Sequence, residues 1–426
     1  MLGSLILLWT SFCILFVLFR IQRPKNFPPG PQPIPIFGNL LQLNLGKLVR
    51  DLKKLSERYG KVYSIYLGRK PAVVLNGLQA MKEALVTQSV EFAGRPKGLM
   101  INHLLQNKGN ATDPQTLFHK ATFNIICTVL VGTRFKHEDE FLQLNIRCIR
   151  ETTKTINGPW AMKAFQNMNM IRKSLADQVS QHKESRVPGE PRDLTDCYLD
   201  EMEKRGDDGS SFSENQLVFY LLDLFFAGTD TTSNTLLTAF LYLMTHPDVQ
   251  ERCQKEIDKV LGEKMQVSFV DRHRMPYTQA VIHEVQRVAD TVPLAAFHAT
   301  TKDTRLMGYD IPKGTIIIPN LSSVLSEETQ WKFPHEFNPS NFLNDEGEFV
   351  KPEAFMPFSA GSRVCLGEGL ARMELFLILV TLLRRFKFIW PEDAGVPDYT
   401  PVFGLTHSPK HYRLGVRLRG SGDLGP

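Results

Sequence analysis

A mainly α fold with small β-sheets at its edges is what this sequence predicts, on three observations. From Phe118 to about Leu261 the apolar residues recur mostly at helical spacing. β-rich alternation is confined to short runs: Val62 to Leu67, Ala72 to Leu75, Thr304 to Met307, Thr315 to Ile318 and Tyr412 to Leu418. No repeat period appears that would indicate a solenoid or propeller. Taken in order, residues 46–59 read as a helix, and the next two runs, with Gly68 between them, read as a hairpin. Gln79 to Thr87 is helical again. Ser213-Glu-Asn-Gln216 has capping-box spacing and opens a long apolar run to about Thr245. Pro247 ends that helix or starts the next, because proline lacks the donor that a helix interior needs.

At 426 residues, with no Ser/Gly linker or charge block, the chain reads as one large domain behind an N-terminal anchor. The boundaries drawn are 1–20 for the anchor, 21–39 for a Pro-rich hinge and 40–426 for the body. A formal charge of +5 is too mild for a nucleic-acid binder; scattered basic residues suit an acidic protein partner or an anionic membrane surface. The six cysteines are widely spaced with no Cys-x-x-Cys pair, which excludes a disulfide framework and a zinc site and fits a reducing compartment. Leu2 to Phe19 is apolar apart from Gly3 and three hydroxyls, about the length that spans a bilayer core. Arg20, Arg23 and Lys25 follow it, so the positive-inside rule leaves the body in the cytosol. A cleaved signal peptide is the competing reading, but it asks for basic residues before the apolar run and a shorter core. On a cytosolic face the sequons at Asn110 and Asn320 carry no glycan. Phe27-Pro-Pro-Gly-Pro31 stiffens the junction between anchor and body.

The chemistry is written in Phe358-Ser-Ala-Gly-Ser-Arg-Val-Cys-Leu-Gly367. It sets the Cys365 thiol beside Arg363, just before a helix, and both neighbours favour the metal-binding thiolate. Gly361 and Gly367 permit turns that a Cβ obstructs and let a flat ligand approach the main chain. Phe358 packs beside the sulfur and excludes water. A lone cysteine in such a turn also reads as a buried structural thiol. Upstream, Ala227-Gly-Thr-Asp-Thr-Thr232 puts a glycine, an acid and three hydroxyls inside an apolar helix. That composition weakens the backbone ladder and opens a local groove, or softens a kink at a helix contact. Glu284 and Arg287 lie three apart on one helical face, within reach of each other.

The spacing Phe-x-x-Gly-x-Arg-x-Cys-x-Gly is the haem-thiolate signature, and with it the chain resembles the cytochrome P-450 monooxygenases. The resemblance implies the P-450 fold and haem b (iron protoporphyrin IX), with Cys365 as axial iron ligand. It places Thr231 and Asp230 as the alcohol and acid that manage protons where dioxygen sits. His298, Arg363 and Arg95 become candidates to hold the haem propionates, although a lone His like His298 also serves as a packing residue. Glu284 and Arg287 become a buried structural brace, whose third member lies in Phe337-Asn-Pro-Ser-Asn-Phe342. The basic residue expected there is Asn341, an amide that can accept from Arg287 but supplies no cation.

One family element is missing. Members carry Trp-x-x-x-Arg on a helix that grips a propionate and receives the reductase. Four residues after Trp9, Trp160, Trp331 and Trp390 stand Cys13, Ala164, His335 and Ala394. The sequence runs from the approach to that helix (Leu99 to Asn110) straight into the segment well beyond it (Thr112 to Phe118), and a second join lies at Met162/Lys163. The fold is therefore read as internally shortened, as in an exon-skipped or mis-predicted form. Three stretches, 179–186, 193–202 and 229–234, resemble the second family of microsomal enzymes, nearest the J-type. That implies epoxidation or hydroxylation of arachidonate and other polyunsaturated fatty acids, and oxidation of xenobiotics. Electrons would come from NADPH through cytochrome P-450 reductase, with cytochrome b5 as a further donor, at the endoplasmic reticulum membrane. Two other readings stay open: an impaired or haem-free form acting only as a membrane-bound interactor, and an isomerase-type member that rearranges a peroxide, against which the Asp230–Thr231 pair argues.

Overall fold

Residues 23–95, 114–136, 138–155, 161–206, 208–264 and 266–420 are described by a computed structural model of the chain. In chain order its main elements are α1 (Leu48–Tyr59), β1 (Val62–Leu67), β2 (Lys70–Leu75), α2 (Gly77–Met81), α3 (Pro114–Val131), α4 (Glu140–Thr155) and α5 (Ala161–Ser185). There follow α6 (Leu194–Arg205), α7 (Glu214–Thr245), α8 (Pro247–Leu261), α9 (Pro276–Ala289), β3 (His298–Ala299), β4 (Thr304–Leu306), β5 (Tyr309–Ile311) and β6 (Ile316–Pro319). The chain ends with α10 (Leu321–Leu325), α11 (Glu368–Arg385), β7 (Phe386–Ile389), β8 (Val402–Phe403), β9 (His407–Ser408) and β10 (Gly415–Leu418). The mainly helical expectation with small sheets holds. Contacts divide these elements into two compact units.

The first unit gathers Met1–Leu99, Val292–His335 and Pro352–Leu366. Its hairpin closes through Gly68, with β1 antiparallel to β2 from Val62↔Leu75 to Leu67↔Lys70. β6 then adds parallel to β2, and β3 adds antiparallel to β6. Ala72 to Leu75 and Ile316 to Pro319 are buried throughout, which is why they read as unbroken apolar runs: strands covered on both faces lose the polar alternation. The helical turn expected over 79–87 begins earlier, at Gly77, and ends as a wider π turn over Lys82–Thr87. The Pro-rich segment lies along β1, where Ser64 Oγ donates to the Pro28 carbonyl at 2.7 Å and Ser64 N–H to that of Pro29 at 2.7 Å.

The second unit gathers Met100–Thr291, Glu336–Lys351 and Gly367–Pro426. Its axis is α7, a 32-residue helix. Ser213 caps it as its spacing predicts, its hydroxyl accepting from Gln216 N–H, and Pro247 opens α8. Two apolar cores flank α7. Its second half, Leu236 to Met244, packs with α8, α9 and α11, and Phe240 stacks on Phe118 at 5.0 Å. Its first half, Leu217 to Phe225, packs with α3, α4, α5 and α6. The second half is buried nearly all round, so periodicity alone gives no polar face to read there. The strand expected over 412–418 is confined to β10, because Tyr412 instead turns its hydroxyl to the Leu237 carbonyl at 2.7 Å and joins the core.

The anchor over 1–20 and the join near residues 110–112 lie outside the described residues. Among the described residues no helix is long and apolar enough to cross a membrane. At Met162/Lys163 the backbone is helical, within α5.

Candidate active site

In the first unit, the loop that carries Cys365 is pinned to residues 85–93. Gly361 sits at φ +75°, and a Cβ there would land on the Leu85 carbonyl oxygen. Ser362 Oγ donates to the Ser89 carbonyl at 3.1 Å, and Arg363 Nε to the Ala93 carbonyl at 2.9 Å. Cys365 N–H donates to the Phe358 carbonyl at 3.0 Å, so Phe358 closes the loop by its main chain. Val364, Cys365 and Leu366 are exposed, Leu366 at 91%. A thiol flanked by two apolar side chains is what a flat apolar ligand with a metal centre requires. Gly367, two residues on, is the N-cap of α11. Gly361→Ala is expected to displace this loop, since the added methyl meets backbone that cannot swing aside and φ there is left-handed. The check is the yield of pigment per protein, which should fall several-fold, with the near-ultraviolet circular dichroism of the rest retained.

The three predicted basic residues come together in this unit. The segment Phe92–Arg95 runs beside Ala296–Ala299, with Ala299 N–H on the Gly94 carbonyl at 2.7 Å. Across it, Arg95 Nη1 donates to the carbonyls of Phe297 (2.8 Å) and Ala296 (3.0 Å), and His298 Nδ1 lies 2.8 Å from the Phe92 carbonyl. Arg363 is tied to the same segment at Ala93. Burial holds the His298 pKa below its ordinary value, and the charges of Arg95 and Arg363 push it the same way. Burial also lowers Arg95, with Arg363 adding to it. Arg95 and Arg363 repel each other, and no carboxylate is paired to either among the described residues, an arrangement whose chemistry suits an external anion. A porphyrin with two carboxylates beside an iron suits a thiol and this basic cluster, so the residues present fit haem. His298 adds a condition: a carbonyl only accepts, so Nδ1 carries the proton and neutral His298 offers Nε2 as an acceptor.

In the second unit, the polar patch of α7 resolves into two kinds of side chain. Four hydroxyls turn back onto their own helix: Thr231 to the Ala227 carbonyl (2.7 Å), Ser233 to Thr229 (2.6 Å), Thr235 to Thr231 (2.9 Å) and Thr238 to Asn234 (2.9 Å). Such bonds share the i−4 carbonyls with the ladder, and the helix runs through them without interruption. Gly228 lets α3 approach, since a Cβ would stand 2.6 Å from Ile126 Cδ1. Asp230 is only 3% exposed. It accepts from Thr406 Oγ1 at 2.6 Å and Asn234 Nδ2 at 3.0 Å, and its Oδ1 lies 3.2 Å from His119 Nε2. His119, Asn234 and Thr406 are the functional neighbours that sequence reasoning missed. For His119 a signal existed: Gln115, His119 and Thr122 are polar at helical spacing in an apolar helix.

The brace also lies within the second unit. Glu284 and Arg287 are fully buried and pair through two bonds of 2.7 Å, Nε to Oε2 and Nη2 to Oε1. Arg287 Nη2 donates to the Glu336 carbonyl at 2.6 Å, and Asn338 N–H to Glu284 Oε1 at 2.7 Å. Asn341 joins the brace as a donor: its amide donates to Glu284, at 3.1 Å and 3.3 Å, beside the fork of Arg287.

Comparison with known proteins agrees with this assembly. The cytochrome P450 family model matches residues 28–110 and 98–416, two blocks that meet where the Trp-x-x-x-Arg helix is missing. Cytochrome P450 2D9 of Mus musculus is 37% identical over 491 residues, covering 97% of each chain. Cytochrome P450 2D20 of Mesocricetus auratus is 38% identical over 492 residues, covering 97% of this chain and 98% of its own. Cytochrome P450 2F2 of Mus musculus is 37% identical over 466 residues, covering 92% and 94%. These alignments are wider than the 426 residues of this chain, so the relatives carry internal sequence that it lacks. The chain belongs to the cytochrome P450 family, among its microsomal second-family members, and its class is that of haem-thiolate monooxygenases.

Proposed function

We propose that this chain binds haem b through Cys365 and oxidises lipophilic substrates, polyunsaturated fatty acids such as arachidonate first and xenobiotics second. The observation that carries the reading is the Cys365 loop, pinned at Gly361, Ser362 and Arg363 to the segment that also anchors the basic cluster. Haem with a thiolate axial ligand supplies dioxygen activation when bound. Every other task falls to the protein. Arg363 and Arg95 hold carboxylates by charge and geometry, and His298 joins them when a carboxylate raises its depressed pKa and Nε2 becomes a donor. Phe358, Val364 and Leu366 exclude water around the sulfur. Asp230 accepts within its buried network and passes a proton on, and Thr231 presents a hydroxyl one residue along the same helix.

The fatty-acid preference rests on the J-type likeness of residues 179–186, 193–202 and 229–234. Residues 1–20 anchor the chain, 21–39 form the hinge, and 40–426 face the cytosol at the endoplasmic reticulum, where NADPH–cytochrome P-450 reductase and cytochrome b5 deliver electrons and apolar substrate enters from the bilayer. The deciding experiment is the carbon-monoxide spectrum of the reduced, expressed chain, followed by product analysis with arachidonate, reductase and NADPH. A thiolate-type Soret band and oxygenated products support the reading; a pigment with no product excludes it. A second reading is favoured by the missing Trp-x-x-x-Arg helix, which removes one grip on the propionates. In that case the chain takes up no haem, shows no Soret band, and acts as a membrane-bound interactor.

A further inference from the structure

We propose that His119 governs the protonation of Asp230: the two side chains share one proton, and this pair, not Asp230 alone, is the proton-holding group of the second unit. The proposal rests on the reading of Asp230 as the acid of the site, and it follows from counting hydrogens. His119 Nδ1 lies 2.7 Å from the Gln115 carbonyl, which has no proton to give, so Nδ1 carries one. His119 Nε2 then faces Asp230 Oδ1 at 3.2 Å. A bare imidazole nitrogen and an ionised carboxylate would set lone pair against lone pair in a site where both residues are at most 3% exposed. One proton must lie between them. It belongs to His119 at rest, because Asp230 Oδ2 already accepts from Thr406 Oγ1 at 2.6 Å and Asn234 Nδ2 at 3.0 Å, and two donors favour the carboxylate.

The pair also has a route to water. A cavity of about 20 Å³ is lined by Gln115, His119, Arg150, Asp230, Thr406 and Ser408 among others. A water needs roughly 10–15 Å³ and two to four polar partners, so one water fits. Arg150, from α4, is the charged group on the far wall; it donates to Gln115 Oε1 at 3.0 Å and Thr116 Oγ1 at 2.9 Å. Lys120 is the next residue on α3 itself. On the hairpin β8–β9, His407 faces Asp290 at 3.7 Å, so its ring does not compete for Asp230. As the reaction side draws a proton through Asp230, the carboxylate takes the proton of His119 Nε2 and hands it on, and the imidazole regains one from solvent through the cavity water. One proton passes in and one out, with no electron moved.

The test uses the full chain labelled with ¹⁵N-histidine. The His119 imidazole signals are those absent from His119→Asn. At pH 7.5 the wild type is expected to show both His119 nitrogens protonated. Asp230→Asn should revert to the neutral ring with hydrogen on Nδ1 only. A neutral His119 in the wild type, or identical signals in Asp230→Asn, overturns the proposal. This readout needs no turnover, so it stands apart from the fate of the monooxygenase reading, and if His119→Asn does not fold, His119→Gln supplies the assignment. In haem-loaded preparations, His119→Asn is expected to lower the fraction of NADPH electrons recovered in product at least fivefold with KM unchanged, and to enlarge the solvent deuterium effect on kcat. Unchanged coupling and isotope effect overturn the relay role.

Discussion

Cys365→Ala is expected to abolish the thiolate-type spectrum and all oxygenation while leaving the fold in place. The two effects separate because the side chain is exposed and the Cys365 bond that closes the loop, N–H to the Phe358 carbonyl, belongs to the backbone and survives in alanine. The glycine, hydroxyl and guanidinium anchors at Gly361, Ser362 and Arg363 are equally untouched. Substitutions at exposed positions away from caps and cores usually change stability by less than about 0.5 kcal/mol. Loss of the ligand is therefore readable without the confusion of unfolding. Circular dichroism and protease resistance of the variant should match those of the parent prepared without haem, while pigment and product formation disappear. Cys365→His sharpens the test. A neutral imidazole can hold iron but donates less electron density than a thiolate, so pigment should return with a shifted band and without oxygenation. If Cys365→Ala retained both pigment and turnover, the sulfur would not be the iron ligand.

What was legible in the sequence follows from how local the cause is. The hairpin at Val62–Leu75, the capped start of α7 at Ser213, and Pro247 at the head of α8 are each set within a few residues, and each stands where the pattern puts it. Glu284 and Arg287 are one helical turn apart, and their pairing was legible for the same reason. Their depth was not, because an exposed pair at that spacing looks identical. The partners of Asp230 are the opposite case. His119 lies 111 positions away and Thr406 lies 176 positions away on a short hairpin, so only the fold brings them together. The convergence of Arg95, His298 and Arg363 was anticipated through the family resemblance. Its physical basis, a main-chain segment to which all three are tied, has no counterpart in local spacing. Asn341 shows the limit of reading a role from a residue type: an amide both donates and accepts, and its donation to Glu284 was not read from the sequence.

Arg287→Ala is expected to be the most destabilising single change in the second unit, by about 3–5 kcal/mol, the range found when one member of a buried ion pair is removed. Against a usual margin of about 5–15 kcal/mol, that is a large share. Both side chains are at most 2% exposed, so water cannot compensate the Glu284 carboxylate left behind. The loss also propagates. Arg287 and Glu284 together hold the Glu336 carbonyl, the Asn338 N–H and the Asn341 amide, so the segment from Glu336 to Phe342 is stapled to α9 through them. Swapping both for apolar residues of similar size, Glu284→Leu with Arg287→Met, often costs little for a buried pair. Here it should still be costly, because it removes the partners that the pair gives to the Glu336 carbonyl and the Asn338 N–H, at about 1–3 kcal/mol for each group left unsatisfied. Asn341→Ala, which removes one donor and leaves the pair, should sit well below both. Hydrogen exchange at Asn338 N–H is the measurement that reads this segment directly, without assuming that the whole chain unfolds in one step. Protection there should fall least in Asn341→Ala, further in Arg287→Ala and most in the double change, which removes the acceptor of Asn338 N–H itself, and protection unaltered in the double change would mean that the segment is held by something other than this pair.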